Sequence, residues 1–112
     1  MLVSAWLVGC AVAPPPRTQI EAAAVALDRA SQADADALSP VEFDFARRQL
    51  AAAETAFEGR DYEVARRMAL QAQVNAELAA AKARAATGRA AVHQRTQENE
   101  ALRRELLGES GR

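Results

Sequence analysis

The sequence predicts an all-α protein: an antiparallel helical hairpin or three-helix arrangement whose long third helix extends beyond the bundle. Three observations carry that reading. The 112 residues include 29 Ala, and Ala loses no side-chain entropy on entering a helix. Only 5 Gly and 4 Pro interrupt the chain, and three of those prolines are adjacent. Apolar residues recur at three- and four-residue spacings rather than alternating. β-Branched residues and turn signals are too few for a sandwich or barrel. No Gly-rich loop follows a strand-like run, which argues against an α/β nucleotide-binding fold.

The chain opens with a run, Leu2 to Val8, that is apolar apart from Ser4 and leads into Leu7-Val8-Gly9-Cys10. A small residue at Gly9 can enter a protease site, and the Cys10 sulfur can carry a lipid. The tetrad resembles the lipobox of bacterial lipoproteins. The resemblance implies that residues 1–9 are a signal peptide cut between Gly9 and Cys10, and that Cys10 is lipidated. The other reading is an ordinary buried cysteine or a free thiol. No Lys or Arg precedes the apolar run, although a secretory signal opens with a basic region. A start upstream of Met1, or a truncated N-terminus, is therefore expected. The run is too short to span a bilayer. Ala11 stands where an Asp often retains such lipoproteins at the inner membrane. This implies the periplasmic side of the outer membrane in a Gram-negative cell. Residues 10–17 contain Pro14-Pro15-Pro16, which favour extended polyproline II, so this segment is expected to be a tether.

Residues 18–107 are expected to be the helical domain. Thr18 and Glu21 fit a capping box, opening a helix over about 19–37 with a stripe of Ile20, Ala24, Leu27 and Ala30. Ser39-Pro40-Val41-Glu42 is a second capping box with Pro at the first helical position, and Pro40 also ends the helix before it. The second helix runs over 40–58, with Phe43, Ala46, Leu50, Ala53 and Phe57 on one face. Gly59 is expected at the left-handed position that closes it. Asp61 caps the third helix, which spans about 62–107 and would be about 69 Å long.

The first two helices are only about 28 Å long, so the third must overhang, bend back or find another chain. Gly88 is its one weak point. Its main stripe is Tyr62, Ala65, Ala69, Ala72, Ala76, Ala80 and Ala83, suited to close packing. A second stripe of Leu70, Val74 and Leu78 is expected to be covered too. Residues 108–112 are expected to be a disordered tail.

The middle of the chain carries a recognisable pattern. It contains Leu38-Ser39-Pro40-Val41-Glu42, then Ala46, Leu50-Ala51-Ala52-Ala53-Glu54, Gly59-Arg60-Asp61-Tyr62, Ala65-Arg66-Arg67, and Ala69, Ala72, Ala76 and Ala79. This pattern, with the lipobox and the tether, resembles the bacterial family called domain of unknown function 4398. The resemblance spans about Ile20 to Ala86. It implies a small helical protein of the Gram-negative envelope, secreted or lipid-anchored, and it supplies no catalytic residues. Some members carry a C-terminal OmpA-like domain; a chain ending at Arg112 is expected to have none. A local likeness of Gly59-Arg60-Asp61-Tyr62-Glu63-Val64-Ala65 to the start of a tetratricopeptide helix lacks the full repeat.

Chemistry is sparse. Net charge is −1, with 14 basic and 15 acidic residues, a poor match to nucleic acid. His93 is the only His and has no Cys or carboxylate three or four residues away, so no metal or other cofactor is expected. Asp34 and Asp36 face different sides of a helix. Lys82, Arg84, Arg89 and Arg95 lie in an acid-free stretch but form no single charged face.

The tail is more specific. Val92, Asn99 and Leu106 fall at heptad a positions with Leu102 at d, and Glu98 and Arg103 at g and e. Arg95 and Glu109 occupy the other d positions, and barely two heptads exist. The tail is therefore either a homodimer seam or a solvated helix.

The expected function is non-enzymatic: a lipid-anchored periplasmic element that serves structure or protein interaction. It would touch the membrane through the lipid on Cys10 and an envelope protein of unknown identity. The alternative is a tetratricopeptide-like module that accepts a partner helix in an Ala-lined groove.

Overall fold

The computed structural model describes residues 14–110, and no strand occurs among them. Four helices follow in order: α1 (Arg17–Gln32), α2 (Ala35–Leu38), α3 (Pro40–Glu58) and α4 (Tyr62–Ser110). The all-α architecture with a long last helix is as expected. Its bundle is built in layers. Ala23, Ala53, Ala69 and Ala72 form one layer, with Ile20, Leu50 and Met68 packed against it. Ala26, Ala46 and Ala76 form the next, flanked by Leu27. Ala30, Ala35, Ala79, Ala80 and Ala83 form the third, flanked by Ala33 and Phe43. Chain positions rise together in α1 and α4 and fall in α3. The three long helices therefore run up, down and up, and α4 is the spine on which α1 and α3 both lie.

Among the described residues the buried hydrophobic side chains are Ala apart from Pro16, and Ser39 is the one buried polar residue. Methyl-sized side chains let helix axes approach closely, so contact comes from backbone and Cβ atoms rather than from long side chains. Ile20, Leu27, Phe43, Leu50, Phe57 and Tyr62 sit half-buried around the Ala seam. The α1 stripe differs from expectation: Ala23, Ala26 and Ala30 face inward while Ala24 is exposed. Five of the residues from 22 to 30 are Ala, so the pattern there cannot choose a face.

The first helix does not continue to residue 37. It stops at Gln32, and Asp34 adopts a left-handed conformation with φ 58°. Asp tolerates this region better than most residues. The bend re-aims the chain, so that Ala35 is fully buried in the third layer. Nor does Thr18 cap α1; Pro16 takes that place, fully buried, and its carbonyl accepts from the Ile20 amide at 3.1 Å.

At Ser39 the expected box is half formed. Pro40 opens α3, and the Ser39 hydroxyl donates to the Glu42 carboxylate at 2.7 Å, while its oxygen accepts from no backbone amide of α3.

The α3–α4 turn is shifted by one residue. Gly59 has φ −75°, and Arg60 is the left-handed residue at φ 59°. The Asp61 amide donates to the Ala56 carbonyl and the Arg60 amide to the Phe57 carbonyl, at 2.9 and 3.0 Å. This is the Schellman pattern with Arg60 at C′. Asp61 then caps α4 loosely, its carboxylate 3.4 Å from the Val64 amide.

Helix α4 passes through Gly88 and Leu107 without a break and ends at Ser110. Its last buried residue is Ala83. Arg84 and Thr87 still border the end of α1, and the remainder beyond Thr87, about 35 Å at 1.5 Å per residue, projects from the bundle.

Candidate interaction surface

Gly9 and Cys10, the expected cleavage and lipidation residues, lie outside the described residues. The other candidates, Val92, Asn99, Leu102 and Leu106, lie in the overhang, where every side chain from Thr87 to Gly108 is exposed. Val92 is 66% exposed, Leu102 53% and Leu106 58%. Asn99, Leu102, Arg103, Leu106 and Leu107 together line a shallow apolar depression.

The bundle half of α4 continues this surface. Leu70, Val74 and Leu78 were expected to be covered, yet they are 48%, 63% and 43% exposed. The reason is geometric. The buried stripe of α4 is Ala65, Ala69, Ala72, Ala76, Ala79, Ala80 and Ala83. At 100° per residue, Val74 and Ala81 lie roughly 160–180° around the helix from Ala76 and Ala72. Both packing helices sit on the Ala side, and among the described residues no third one covers the back.

Polar contacts fix the two flanks. On the α3 side, Asn75 Nδ2 donates to Gln49 Oε1 at 2.8 Å, and Gln49 Nε2 to Gln71 Oε1 at 3.2 Å. Lys82 pairs with Glu42. The hydrogen bonds from Lys82 and then from Ser39 hold the Glu42 carboxyl down at about 2. Asp44, hydrogen-bonded by Arg47 and also paired with Arg48, lies below its ordinary value. On the α1 side, Arg66 Nη2 donates to the Pro14 carbonyl at 3.0 Å, tying the end of the Pro-rich segment to α4. Arg17 stacks 5.1 Å from the Phe57 ring centroid, and Phe57 packs on Tyr62 at 5.6 Å.

The Ala face needed for a tetratricopeptide-like groove is filled by α1 and α3 of the same chain. His93 is exposed in the overhang. Among the described residues no group of three His, Cys, Asp or Glu side chains is placed to hold a metal ion. None of the described helices is long and apolar enough to cross a membrane.

The molecule is thus an Ala-cored helical bundle whose spine projects as a rod with an apolar back. The chain belongs to the family described as Domain of unknown function (DUF4398), whose model matches residues 18–95. The matched span takes in the whole bundle and the first part of the overhang. No curated protein and no solved structure matches the chain.

Proposed function

We propose that this protein is a non-enzymatic, lipid-anchored element of the cell envelope. It is held at the periplasmic side of the outer membrane through Cys10 and presents its projecting helix to other proteins. The observation that carries the reading is the order Leu7-Val8-Gly9-Cys10, Pro14-Pro15-Pro16, helical bundle. A lipid attachment point, a Pro-rich segment and a folded head follow one another within a few residues. The position of Arg66 agrees with this order, because its bond to the Pro14 carbonyl sets where the spacer leaves the bundle. The half-exposed apolar back of α4 agrees with an interaction role, since a chain with no partner gains nothing by leaving Leu70, Val74 and Leu78 in water.

The experiment is metabolic labelling with radioactive palmitate, followed by separation of inner and outer membranes. The full chain should take up label and sediment with the outer membrane, and Cys10→Ser should lose both properties. Label that persists in Cys10→Ser would overturn the anchor.

A further inference from the structure

We infer that the exposed back of α4 is covered by a second copy of this chain, packed antiparallel over roughly Ala81 to Leu106. Heptad positions continue backward from the tail into the bundle. Leu78, Ala85, Val92, Asn99 and Leu106 fall at a, and Val74, Ala81, Gly88, Arg95 and Leu102 at d. All of these residues are exposed. From Ala81 to Leu106 the seam has eight layers against five in the tail alone, which matters because a zipper of two heptads is marginal.

Side-chain size sets the direction. Ala81, Ala85 and Gly88 are three small residues in succession, and Leu102 and Leu106 are two large ones near the other end. In a parallel pair each residue faces its own copy. Three adjacent layers would then be nearly empty, and Arg95 would face Arg95. In an antiparallel pair whose facing positions sum to 187, Ala81 meets the second copy's Leu106, Ala85 its Leu102, Gly88 its Asn99, and Val92 its Arg95. The two-fold axis repeats each layer. Every small position then receives a large side chain, as interdigitating layers require.

Gly88 supplies an independent observation. A Cβ there would meet nothing within 4 Å, so no contact among the described residues requires a glycine that costs about 1 kcal/mol relative to Ala. Space for the facing Asn99 is a reason for it.

Charges agree. Arg84 and Glu105 fall at g positions that flank each other across the antiparallel pair. Lys82 is brought near the facing Arg103, but Lys82 is already paired with Glu42, which offsets part of the repulsion. A parallel pair gains Glu98 with Arg103 and an Asn99 pair, but it sets Arg84 against Arg89 and leaves the small layers open.

The test uses the full chain carrying Cys10→Ser. Sedimentation equilibrium should show a dimer, and Leu102→Asp should weaken it about 100-fold because the two-fold places the change in two layers. Circular dichroism on that variant should show the bundle unchanged. Direction is read from disulfides between single-cysteine chains. Ala85→Cys mixed with Leu102→Cys should give the mixed disulfide in preference to either self-linked species. Self-linked species in excess would overturn the antiparallel arrangement. A monomer at roughly 100 µM would overturn the dimer outright. A monomer recruited to phosphatidylglycerol vesicles would do the same and assign the apolar back to lipid.

Discussion

One helix, α4, lives in two environments. From Tyr62 to Ala83 it is the spine of a bundle, and seven of its Ala are buried. Arg84 and Thr87 still border the end of α1, and from Gly88 to Gly108 every side chain is exposed. Both halves are rich in Ala and Arg, so composition does not separate them; spacing does. In the first half Ala recurs every three or four residues on one stripe, and two neighbouring helices close over it. In the second half Ala85, Ala86, Ala90, Ala91 and Ala101 are scattered, and the regular positions go to Val92, Asn99, Leu102 and Leu106. A stripe of methyl groups stabilises only when backbones come very near, so it depends on close fit. A stripe of large side chains works at ordinary distance but needs a partner.

That comparison breaks most sharply at Ala76, which lies fully buried in the middle layer with Ala26 and Ala46. Ala76→Leu places three extra carbons between three helices that have no room for them. It should destabilise the bundle by about 3 kcal/mol, at the upper end of overpacking costs. The same change in the overhang, Ala90→Leu, should move stability by no more than about 0.5 kcal/mol, as surface changes do. Thermal unfolding followed by circular dichroism measures both. Equal effects would mean that the two halves are not packed as described.

The same contrast explains which parts of the fold were legible. The α3 boundaries at Pro40 and Glu58 matched expectation because proline and glycine mark them chemically. The α4 stripe was readable because Arg, Gln and Glu separate its Ala residues. The inward face of α1 was not, because Ala22, Ala23, Ala24 and Ala26 offer every face the same side chain. The sequence places Asp34 inside a helix, since nothing local distinguishes an Asp that ends a helix in the left-handed region from one on its surface. Leu70, Val74 and Leu78 were expected to be covered on hydrophobicity alone. How many helices are available to cover a face is a property of the whole chain, not of that stripe.

A medium effect belongs to the turn that joins α3 to α4. Arg60 holds φ 59°, a conformation costly for a side chain with a Cβ and nearly free for glycine. Arg60→Gly should stabilise the bundle by about 0.5–1 kcal/mol, the strain relieved less the entropy glycine adds to the unfolded chain. A rise in the denaturation midpoint in urea, with the dimer constant unchanged, would locate the gain in the bundle half alone.

The smallest effect lies at the border between the halves, where Glu42 of α3 holds Lys82 one residue before the last buried Ala of α4. The Glu42 carboxyl titrates at about 2 in the folded chain against an ordinary 4.5. A lowered carboxyl pKa means that the unfolded chain binds the proton more readily, so the contribution is complete above about pH 4.5 and disappears as pH falls toward 2. Glu42→Gln should therefore leave a shallower loss of stability across that window, measured as the urea midpoint at successive pH values. Some slope should survive, because Asp44 is also held below its ordinary value by Arg47 and Arg48. Lys82→Met should flatten the profile less than Glu42→Gln, since the Ser39 hydroxyl still donates to Glu42. If the two substitutions act alike, Lys82 alone sets the Glu42 carboxyl, and the joint between bundle and rod rests on that single pair.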